Sequence, residues 1–295
     1  MRVHLVDGTF ELFRHHHALP RRRDGAGREI GAVRGVLGSV LRLLEEGATH
    51  VAVATDRVIE SFRNQLFCGY KTGEGIDPAL LAQFGPLEEA LELLGVAVLP
   101  MAEFEADDAL ATAAARAASD PRVEQVLLCT PDKDLAQCVE GSRVVQLDRV
   151  RGILRDEAGV RAKFGVAPAS IPDYLALVGD AADGIPGLPG WGARSASAVL
   201  SHHPHLEDIP ADPARWEARP RAAARLAAVL QERAEEARLY RSLATLVREV
   251  PGVGGPDAWR WQGPRPGFED LARNLAAPRL WERARALARE RVDAG

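Results

Sequence analysis

Short apolar runs alternate with longer amphipathic stretches over the first half of the chain. Five runs are apolar almost throughout, as is typical of strands buried on both faces: RVHLVD, HVAVATD, VAVLP, VEQVLLCT and RVVQLD. The intervening stretches GAVRGVLGSVLRLLEEG, PLEEALELLG and DDALATAAARAA space their apolar residues as helices do. The alternation predicts a doubly wound α/β domain with a mostly parallel sheet, which we expect to end near residue 165.

The pattern changes after residue 165, where helical stretches follow one another without strands. Helices are predicted around IPDYLALVGD and SASAVLSHH, which the Gly/Pro-rich turn GIPGLPGWGARS joins. One long helix is predicted over 220–250, and a last helical segment begins at FEDLARNL, after the breaker cluster PGVGGP. We therefore expect two domains, 1–165 and 166–295, of which the second is entirely helical.

Net charge and cysteine spacing limit the classes of protein to which this chain can belong. The net charge of -5 argues against non-specific coating of nucleic acid by a basic surface. The three cysteines show no CxxC spacing, which indicates reduced thiols and argues against zinc. The amino-terminal stretch lacks the apolar region of a signal peptide, and no later run approaches the roughly 20 apolar residues of a membrane span. We expect a soluble, cytoplasmic protein that does not contact a membrane.

Acidic residues concentrate where the predicted strands end. They are Asp7, Asp56, Glu105, Asp107, Asp108, Asp132 and Asp134. For any one of them, a helix cap or a turn is at least as common a role as catalysis. However, the carboxyl ends of parallel strands share one edge of a sheet, where ligand sites gather. The sequence therefore predicts that these side chains converge.

Converging carboxylates repel one another unless cations neutralise them. The predicted ligands are all oxygen atoms, which favours magnesium or manganese over zinc. Two such ions about 4 Å apart are suited to hydrolysis of a phosphodiester. The histidine run at 15–17 has no acidic partner at ligand spacing, and we expect it to be exposed rather than to bind metal.

Six motifs together identify a resemblance. They are VDG at Asp7, the segment DRVIESFR at 56–63, GYK at Lys71, EADD at 105–108, TPDKDL at 130–135 and LVGDAADGIPG at 177–187. As a set they resemble the bacterial 5′-nucleases, which include the 5′-to-3′ exonuclease domain of type I DNA polymerases and the flap endonucleases. The resemblance covers residues 1 to about 205 and extends more loosely to the end. It implies a PIN-like nuclease core followed by a helix-hairpin-helix.

The resemblance also implies two metal subsites for Mg²⁺, with Mn²⁺ as a substitute. The first would use mainly Asp7, Asp56, Glu105, Asp107 and Asp132, and the second mainly Asp134, Asp180 and Asp183. Asp108 would bind through water. Catalysis would depend on Asp7, Asp56, Asp107 and Asp132 together with the basic residues Arg63 and Lys71.

DNA contacts are implied at two places. An arch over about 63–85 would place Arg63 and Lys71 against the scissile phosphate, with Phe13, Arg14 and Tyr70 as further contacts. For Phe13 and Tyr70, packing in the core is an equally open alternative. The hairpin would bind the duplex backbone, and potassium with it, through Gly187, Gly190, Gly192, Arg194 and Ser195.

The chain departs from the family at four positions. Glu74 stands where the family commonly has Arg, Gly184 replaces Asn, Arg194 replaces Lys, and Ser195 replaces Thr. None of these changes removes a carboxylate of the predicted metal sites. They leave flap preference and potassium binding open.

The sequence favours a structure-selective 5′-nuclease that acts on DNA with 5′ ends, flaps or junctions. We expect a monomeric, stand-alone enzyme, because 295 residues leave no room for a polymerase module, although a separate polymerase could be a partner. Two alternatives stay open: a DNA-junction binding protein with weak or lost nuclease activity, and a PIN-type ribonuclease. The full acid set argues against the first, and the long helical second half argues against the second.

Overall fold

The structure is a computed structural model that describes residues 1–293. The chain forms two compact units, each built from segments that are separated in sequence. The first unit contains Met1–Ile59, Gly73–Thr130 and Arg248–Gly295. The second unit contains Glu60–Thr72 and Pro131–Val247.

Four parallel strands form the centre of the first unit. They are β1 (Arg2–Asp7), β2 (His50–Asp56), β3 (Ala97–Met101) and β4 (Gln125–Cys129), in the spatial order β3-β2-β1-β4. β2 is buried over all but its last residue, as its continuous apolar run predicts. In the register of β1 and β2, Asp7 lies opposite Ala54, so the two strands end within two residues of each other. The parallel α/β core predicted from the sequence is confirmed.

The helices of the first unit are α1 (Gly8–Ala18), α2 (Gly31–Glu45), α4 (Pro78–Leu81), α5 (Phe84–Leu94), α6 (Ala106–Ser119), α12 (Phe268–Asn274) and α13 (Pro278–Asp293). They cover this sheet in part directly, through α1, α5 and α6, and in part by packing on one another. α2 and α5 turn leucines and valines spaced three and four residues apart into the core, and these side chains are fully buried. A short 3-10 helix, Pro256–Trp259, precedes α12.

The carboxyl-terminal segment belongs to the first unit. The sequence assigns all of 166–295 to one helical domain, whereas the chain from Arg248 packs with the sheet. Trp261 anchors it, since its backbone N–H donates to Thr49 O at 2.9 Å and its indole N–H donates to Leu94 O at 2.8 Å. Helical periodicity shows that a segment has an apolar face but not which core that face joins. The domain boundary at residue 165 therefore stays a prediction. The two compact units do not follow it, because each contains segments from both sides of residue 165.

The second unit is mainly helical. It contains the antiparallel pair β5 (Val144–Asp148) and β6 (Ile153–Arg155), and the helices α3 (Arg63–Leu66), α7 (Glu157–Phe164), α8 (Ile171–Val178), α9 (Ala193–Leu200), α10 (Ala223–Glu232) and α11 (Ala234–Ala244). The long helix predicted over 220–250 is wrong, because the backbone leaves helical geometry at Arg233. No Gly or Pro marks this break. α10 and α11 each bury their own apolar face, which includes Leu226 and Tyr240, in one core.

A tight turn after α8 holds Asp180 and Asp183, two of the predicted metal ligands. Asp180 and Ile185 exchange two backbone hydrogen bonds of 2.8 Å, and Lys71 N–H donates to Asp183 O at 3.0 Å. Gly184, inside this turn, has a φ of +75°, and a Cβ placed there would lie 2.1 Å from Gly69 O. The close approach explains why this chain tolerates no side chain at the position where the family commonly has Asn.

We expect Gly184→Ala to lower the free energy of unfolding by at least about 3 kcal/mol, because left-handed strain and a backbone clash act together. Gly152→Ala is the matched control, since Gly152 has a φ of +67° and open space around it. That variant should lose only about 1 kcal/mol. Denaturant unfolding of both variants measures the difference, and equal losses would contradict the close packing at Gly184.

Candidate active site

Five acids of the first unit, which we call the first acid group, lie at the carboxyl edge of its sheet. They are Asp7, Asp56, Glu105, Asp107 and Asp108. Asp7 ends β1 and caps α1: its Oδ1 accepts a hydrogen bond from Phe10 N–H at 2.8 Å. Its Oδ2 accepts one from the Thr130 hydroxyl at 3.0 Å, just beyond the end of β4. The carboxylate is therefore held in one orientation by two neighbouring elements.

Asp56 connects the end of β2 to the start of α6. Its Oδ1 accepts a hydrogen bond from Ala106 N–H at 2.7 Å, in the first turn of that helix. Its backbone N–H donates to the Thr9 hydroxyl at 2.9 Å. These bonds bring the Asp56 carboxylate to the start of the helix that carries the other three acids of the group.

Glu105 and Asp108 form a capping box at the start of α6. The Glu105 N–H donates to Asp108 Oδ2 at 3.0 Å, and both side chains are buried. Asp107, offset by one position, is only partly buried. Asp108 thus has the structural role that the sequence left open as an alternative, and its predicted water-mediated contact with metal stays a prediction.

Four acids of the second unit form the second acid group: Asp132, Asp134, Asp180 and Asp183. One carboxylate oxygen from each of Asp134, Asp180 and Asp183 lies within 4.8 Å of the others. Within residues 1–293, no other three His, Cys, Asp or Glu side chains meet this spacing. Asp132 lies beside them, since the Asp134 N–H donates to its Oδ1 at 2.9 Å. The predicted second subsite coincides with these three aspartates.

Two lysines contact the second acid group. Lys71 Nζ lies 2.9 Å from Asp183 Oδ1, and Lys133 Nζ lies 2.5 Å from Asp180 Oδ2. Burial alone would lower the pKa of Lys133, but the hydrogen bond to Asp180 and the nearby aspartates raise it above its ordinary value. Lys133 therefore stays charged and partly neutralises the group.

In the second acid group, the pKa of Asp134 is raised furthest above its ordinary value. Burial raises its pKa well above the ordinary value, and the charges of Asp132, Asp183 and Asp180 raise it further. Its Oδ1 is buried and has no hydrogen-bond partner. An unsatisfied carboxylate oxygen among converging aspartates fits a hard divalent cation, which takes oxygen ligands and favours the ionised form.

Arg63 is a correction to the sequence-based site. The side chain is 1% exposed, and its guanidinium donates to Leu243 O at 2.8 Å and to Thr245 O at 3.1 Å. These carbonyls lie at the end of α11, where a helix leaves its last acceptors without partners within the helix. Arg63 is therefore a buried structural residue here, and it does not reach a DNA phosphate. The motif identified the residue but not the direction of its side chain.

The other arch and aromatic candidates differ in accessibility. Tyr70 is 4% exposed and lies in the core of the second unit, so no base can stack on its ring. Phe13 packs edge-on against Phe84, and Arg14 donates to the buried Glu11 at 2.6 Å. Arg14 and Lys71 are more accessible, since each side chain is 28% exposed, and each is paired with an acid. Of the two, only Lys71 pairs with a predicted metal ligand, Asp183.

The hairpin between α8 and α9 is partly buried. Gly187 lies inside it, where a Cβ would be 2.5 Å from Gly179 N, so this glycine permits close packing instead of phosphate contact. The Ser195 hydroxyl accepts a bond from Gly192 N–H at 2.9 Å and caps α9. A surface groove of about 700 Å³ borders the other face of the hairpin. Its walls include Gly190, Gly192, Arg194, Ser195, Arg219 and Arg221.

The sequence did not identify three polar residues that contact acids of the two groups. Thr9 and Thr130 hold Asp56 and Asp7, and Lys133 pairs with Asp180. Lys133 stands inside the TPDKDL motif, and Thr130 opens it, so position next to a predicted ligand was the available signal. The expectation that the histidine run is exposed and lacks an acidic partner is wrong for His15 and His16, which are mostly buried and lie 3.4 Å from Glu11 and 3.2 Å from Asp77.

We expect Asp134→Asn to raise the unfolding temperature in the presence of a chelator, because the change removes a buried charge from a repelling group. With added Mn²⁺, the wild type should instead have the higher unfolding temperature. At about 100 times its dissociation constant the ion should stabilise the wild type by about 3 kcal/mol and the variant by less. Thermal unfolding with and without Mn²⁺ measures both effects.

Glu232→Gln is the control for this prediction, because it removes an exposed acid of the same unit. It should leave both unfolding temperatures within error of the wild type. Equal stabilisation of wild type and Asp134→Asn by Mn²⁺ would show that the second acid group does not bind the ion through Asp134.

Two family models match consecutive parts of the chain. The first is described as the 5′-3′ exonuclease amino-terminal resolvase-like domain and matches residues 2–165. The second is described as the 5′-3′ exonuclease carboxyl-terminal SAM fold and matches residues 166–266. Together they confirm the resemblance drawn from the motifs.

Curated relatives agree with the family models. The chain is 37% identical over 256 residues to DNA polymerase I of Pseudomonas aeruginosa, an alignment that covers 83% of this chain and 27% of that protein. It is 34% identical over 208 residues to a 5′-3′ exonuclease of Buchnera aphidicola, covering 70% and 68%. The chain thus spans about a quarter to a third of the DNA polymerase I relatives.

Solved structures share the fold. The T5 5′-exonuclease with bound zinc matches with a TM-score of 0.66 at 15% identity, covering 97% of this chain and 98% of that one. The catalytic core of Rad2 in complex with DNA matches with a TM-score of 0.62 at 14% identity, covering 97% and 90%. None of the helices within residues 1–293 is long and apolar enough to cross a membrane. On its two family models and its curated relatives, the chain belongs to the 5′-3′ exonuclease family.

Proposed function

We propose that this chain hydrolyses phosphodiester bonds of DNA near 5′ ends and at flap junctions, with Mg²⁺ as its cofactor and Mn²⁺ as a substitute. The observation that carries the proposal is the close approach of Asp134, Asp180 and Asp183, with an unsatisfied buried oxygen on Asp134. Family membership supplies the substrate class. The T5 and Rad2 structures, which were determined with divalent metal or with DNA, support it.

As the family resemblance implies, we propose that two or more divalent ions bind to these acids. We assign Asp7, Asp56, Glu105, Asp107 and Asp132 to the first ion, Asp134, Asp180 and Asp183 to the second, and Asp108 to contact through water. Divalent cations at such sites supply Lewis-acid catalysis of phosphoryl transfer. The contribution of the protein is orientation: Thr130 fixes the Asp7 carboxylate, and the Ala106 N–H fixes that of Asp56.

Lys71 is the basic residue best suited to meet the phosphate. Its ammonium is partly exposed and pairs with Asp183, one of the proposed ligands. A flexible lysine can exchange a carboxylate for a phosphate oxygen and offset charge that develops there during hydrolysis. Lys133 has a different role, because its ammonium is paired with the buried Asp180.

The arginine-lined groove beside the hairpin is the proposed contact for duplex DNA. Arg194, Arg219 and Arg221 are exposed, and none of the three forms an ion pair within residues 1–293. Phosphate contacts of this kind bind without reading base sequence. We extend the proposal to potassium at the hairpin, to action as a monomer in the cytoplasm, and to a polymerase as a separate partner.

To test the activity, the chain is incubated with labelled 5′-flap duplex, linear duplex and RNA, each with Mg²⁺ and with chelator. We expect Mg²⁺-dependent cleavage near the flap junction by the wild type. Asp132→Ala should reduce cleavage at least about 100-fold while binding is retained, and thermal unfolding of the variant checks that the fold survives loss of the hydrogen bond from Asp134 N–H.

Glu140→Ala is the matched control, since it removes another exposed acid a few residues away. Wild-type protein that binds flaps without cleaving them under any divalent ion would support the junction-binding alternative instead. Cleavage restricted to single-stranded RNA would support a PIN-type ribonuclease. Either result overturns the proposed activity.

To test the groove, Arg219→Ala and Arg221→Ala are combined. We expect the affinity for duplex DNA to fall about tenfold near 0.15 M salt, and the dependence of log affinity on log salt to weaken by about two units, one for each lost phosphate contact. Arg225→Ala, an exposed arginine of α10 outside the groove, is the control. Unchanged affinity in the double variant would exclude the groove as a DNA contact.

A further inference from the structure

Glu88 is a buried acid that belongs to neither acid group. It lies on α5 and is 4% exposed. Its Oε1 accepts a hydrogen bond from the Thr55 hydroxyl at 2.8 Å. Its Oε2 accepts two from the Arg57 guanidinium, at 3.0 Å from Nε and 2.7 Å from Nη2. One carboxylate thus holds both chain neighbours of Asp56.

Strand geometry explains why this arrangement matters for Asp56. Successive side chains of a strand point to opposite faces, so Thr55 and Arg57 face α5 while Asp56 points away from it. Away from α5, the Asp56 carboxylate accepts a hydrogen bond from Ala106 N–H, and the Asp56 backbone N–H donates to the Thr9 hydroxyl. The end of β2 is therefore fixed from both faces of the sheet, with the Asp56 carboxylate between the two sets of bonds.

The backbone after Asp56 is also fixed. Arg57 N–H donates to Met101 O at 2.8 Å, which extends the pairing of β2 with β3 by one residue. Arg57 is thus held by its backbone and by its side chain. Because a carboxylate turns with the strand that carries it, movement of residues 55 and 57 would redirect Asp56.

Stability alone is a weak reason to keep this cluster. The Arg57 side chain is 57% exposed, and ion pairs with an exposed partner add little to stability. An apolar side chain at position 88 would fill the same buried space without the penalty of burying a carboxylate. Precise placement of a neighbouring group is a function that an apolar residue could not supply.

We propose that Glu88 is a positioning residue for Asp56: by holding Thr55 and Arg57 it fixes the direction of the Asp56 carboxylate toward a bound divalent cation. The inference rests on the proposed metal role of Asp56. The proposed role of Glu88 is to orient Asp56 and not to bind the ion, since its carboxylate accepts hydrogen bonds from both chain neighbours of Asp56. Groups that orient a metal ligand in this way commonly affect affinity tenfold or more when they are removed.

The test measures Mn²⁺ binding to the full chain without DNA, by electron paramagnetic resonance of the free ion. We expect Glu88→Ala and Glu88→Gln to weaken binding at one site about tenfold, as Asp56→Asn should also do. Arg57→Ala, a change at a side chain that is 57% exposed, should weaken the same site by a smaller factor. Glu89→Ala, an exposed acid next along α5, is the matched control and should bind as the wild type does.

Combination of the variants separates positioning from a general loss of structure. If Glu88 acts through Asp56, then Glu88→Ala added to Asp56→Asn should weaken Mn²⁺ binding no further. Additive losses, or wild-type affinity in Glu88→Gln and Arg57→Ala while Asp56→Asn loses the site, would overturn the positioning role and leave the proposed function standing. Wild-type binding by Asp56→Asn would instead overturn the metal role of Asp56, and the inference with it.

Discussion

Repulsion between buried carboxylates is the constraint on which the second unit depends. Asp134, Asp180 and Asp183 hold ligand atoms within 4.8 Å of one another, and burial together with the neighbouring charges raises the pKa of Asp134. Two lysines offset part of the repulsion, and the backbone must resist the remainder. The paired hydrogen bonds between Asp180 and Ile185, and the close contact at Gly184, provide that resistance. A divalent cation bound at this cluster, as proposed above, would relieve the repulsion.

In the first unit, the clustered acids are stabilised in a different way. Its acids double as structural groups: Asp7 caps α1, and Asp108 completes a capping box at the start of α6. A carboxylate at a helix start is stabilised by the backbone N–H groups there and by the helix dipole. Asp7, Asp56 and Asp108 each accept a hydrogen bond from a backbone N–H in this way. The same bonds also fix the orientation in which each carboxylate could accept a cation.

Basic residues divide into buried and exposed sets with different physical tasks. Arg63 is enclosed and supplies donors to the carbonyls at the end of α11, a role for which a planar guanidinium with several donors is suited. Arg194, Arg219 and Arg221 instead line an open groove. The net charge of -5 is thus compatible with a local surface that favours phosphate, since the acids and the arginines occupy different places.

The sequence by itself determined the parallel α/β core, the helical second half and the membership of the metal-ligand candidates. Apolar runs and strand-end acids such as Asp7 and Asp56 are local signals, and a motif set identifies a family without coordinates. The tertiary structure decided what periodicity cannot encode: that the chain after Arg248 packs with the first sheet, and that a helix breaks at Arg233. It also decided that Arg63 and Tyr70 point inward while Glu88 holds both neighbours of Asp56. These outcomes depend on which side chains meet across long sequence separations, and pairwise burial and hydrogen bonding, not local pattern, select them.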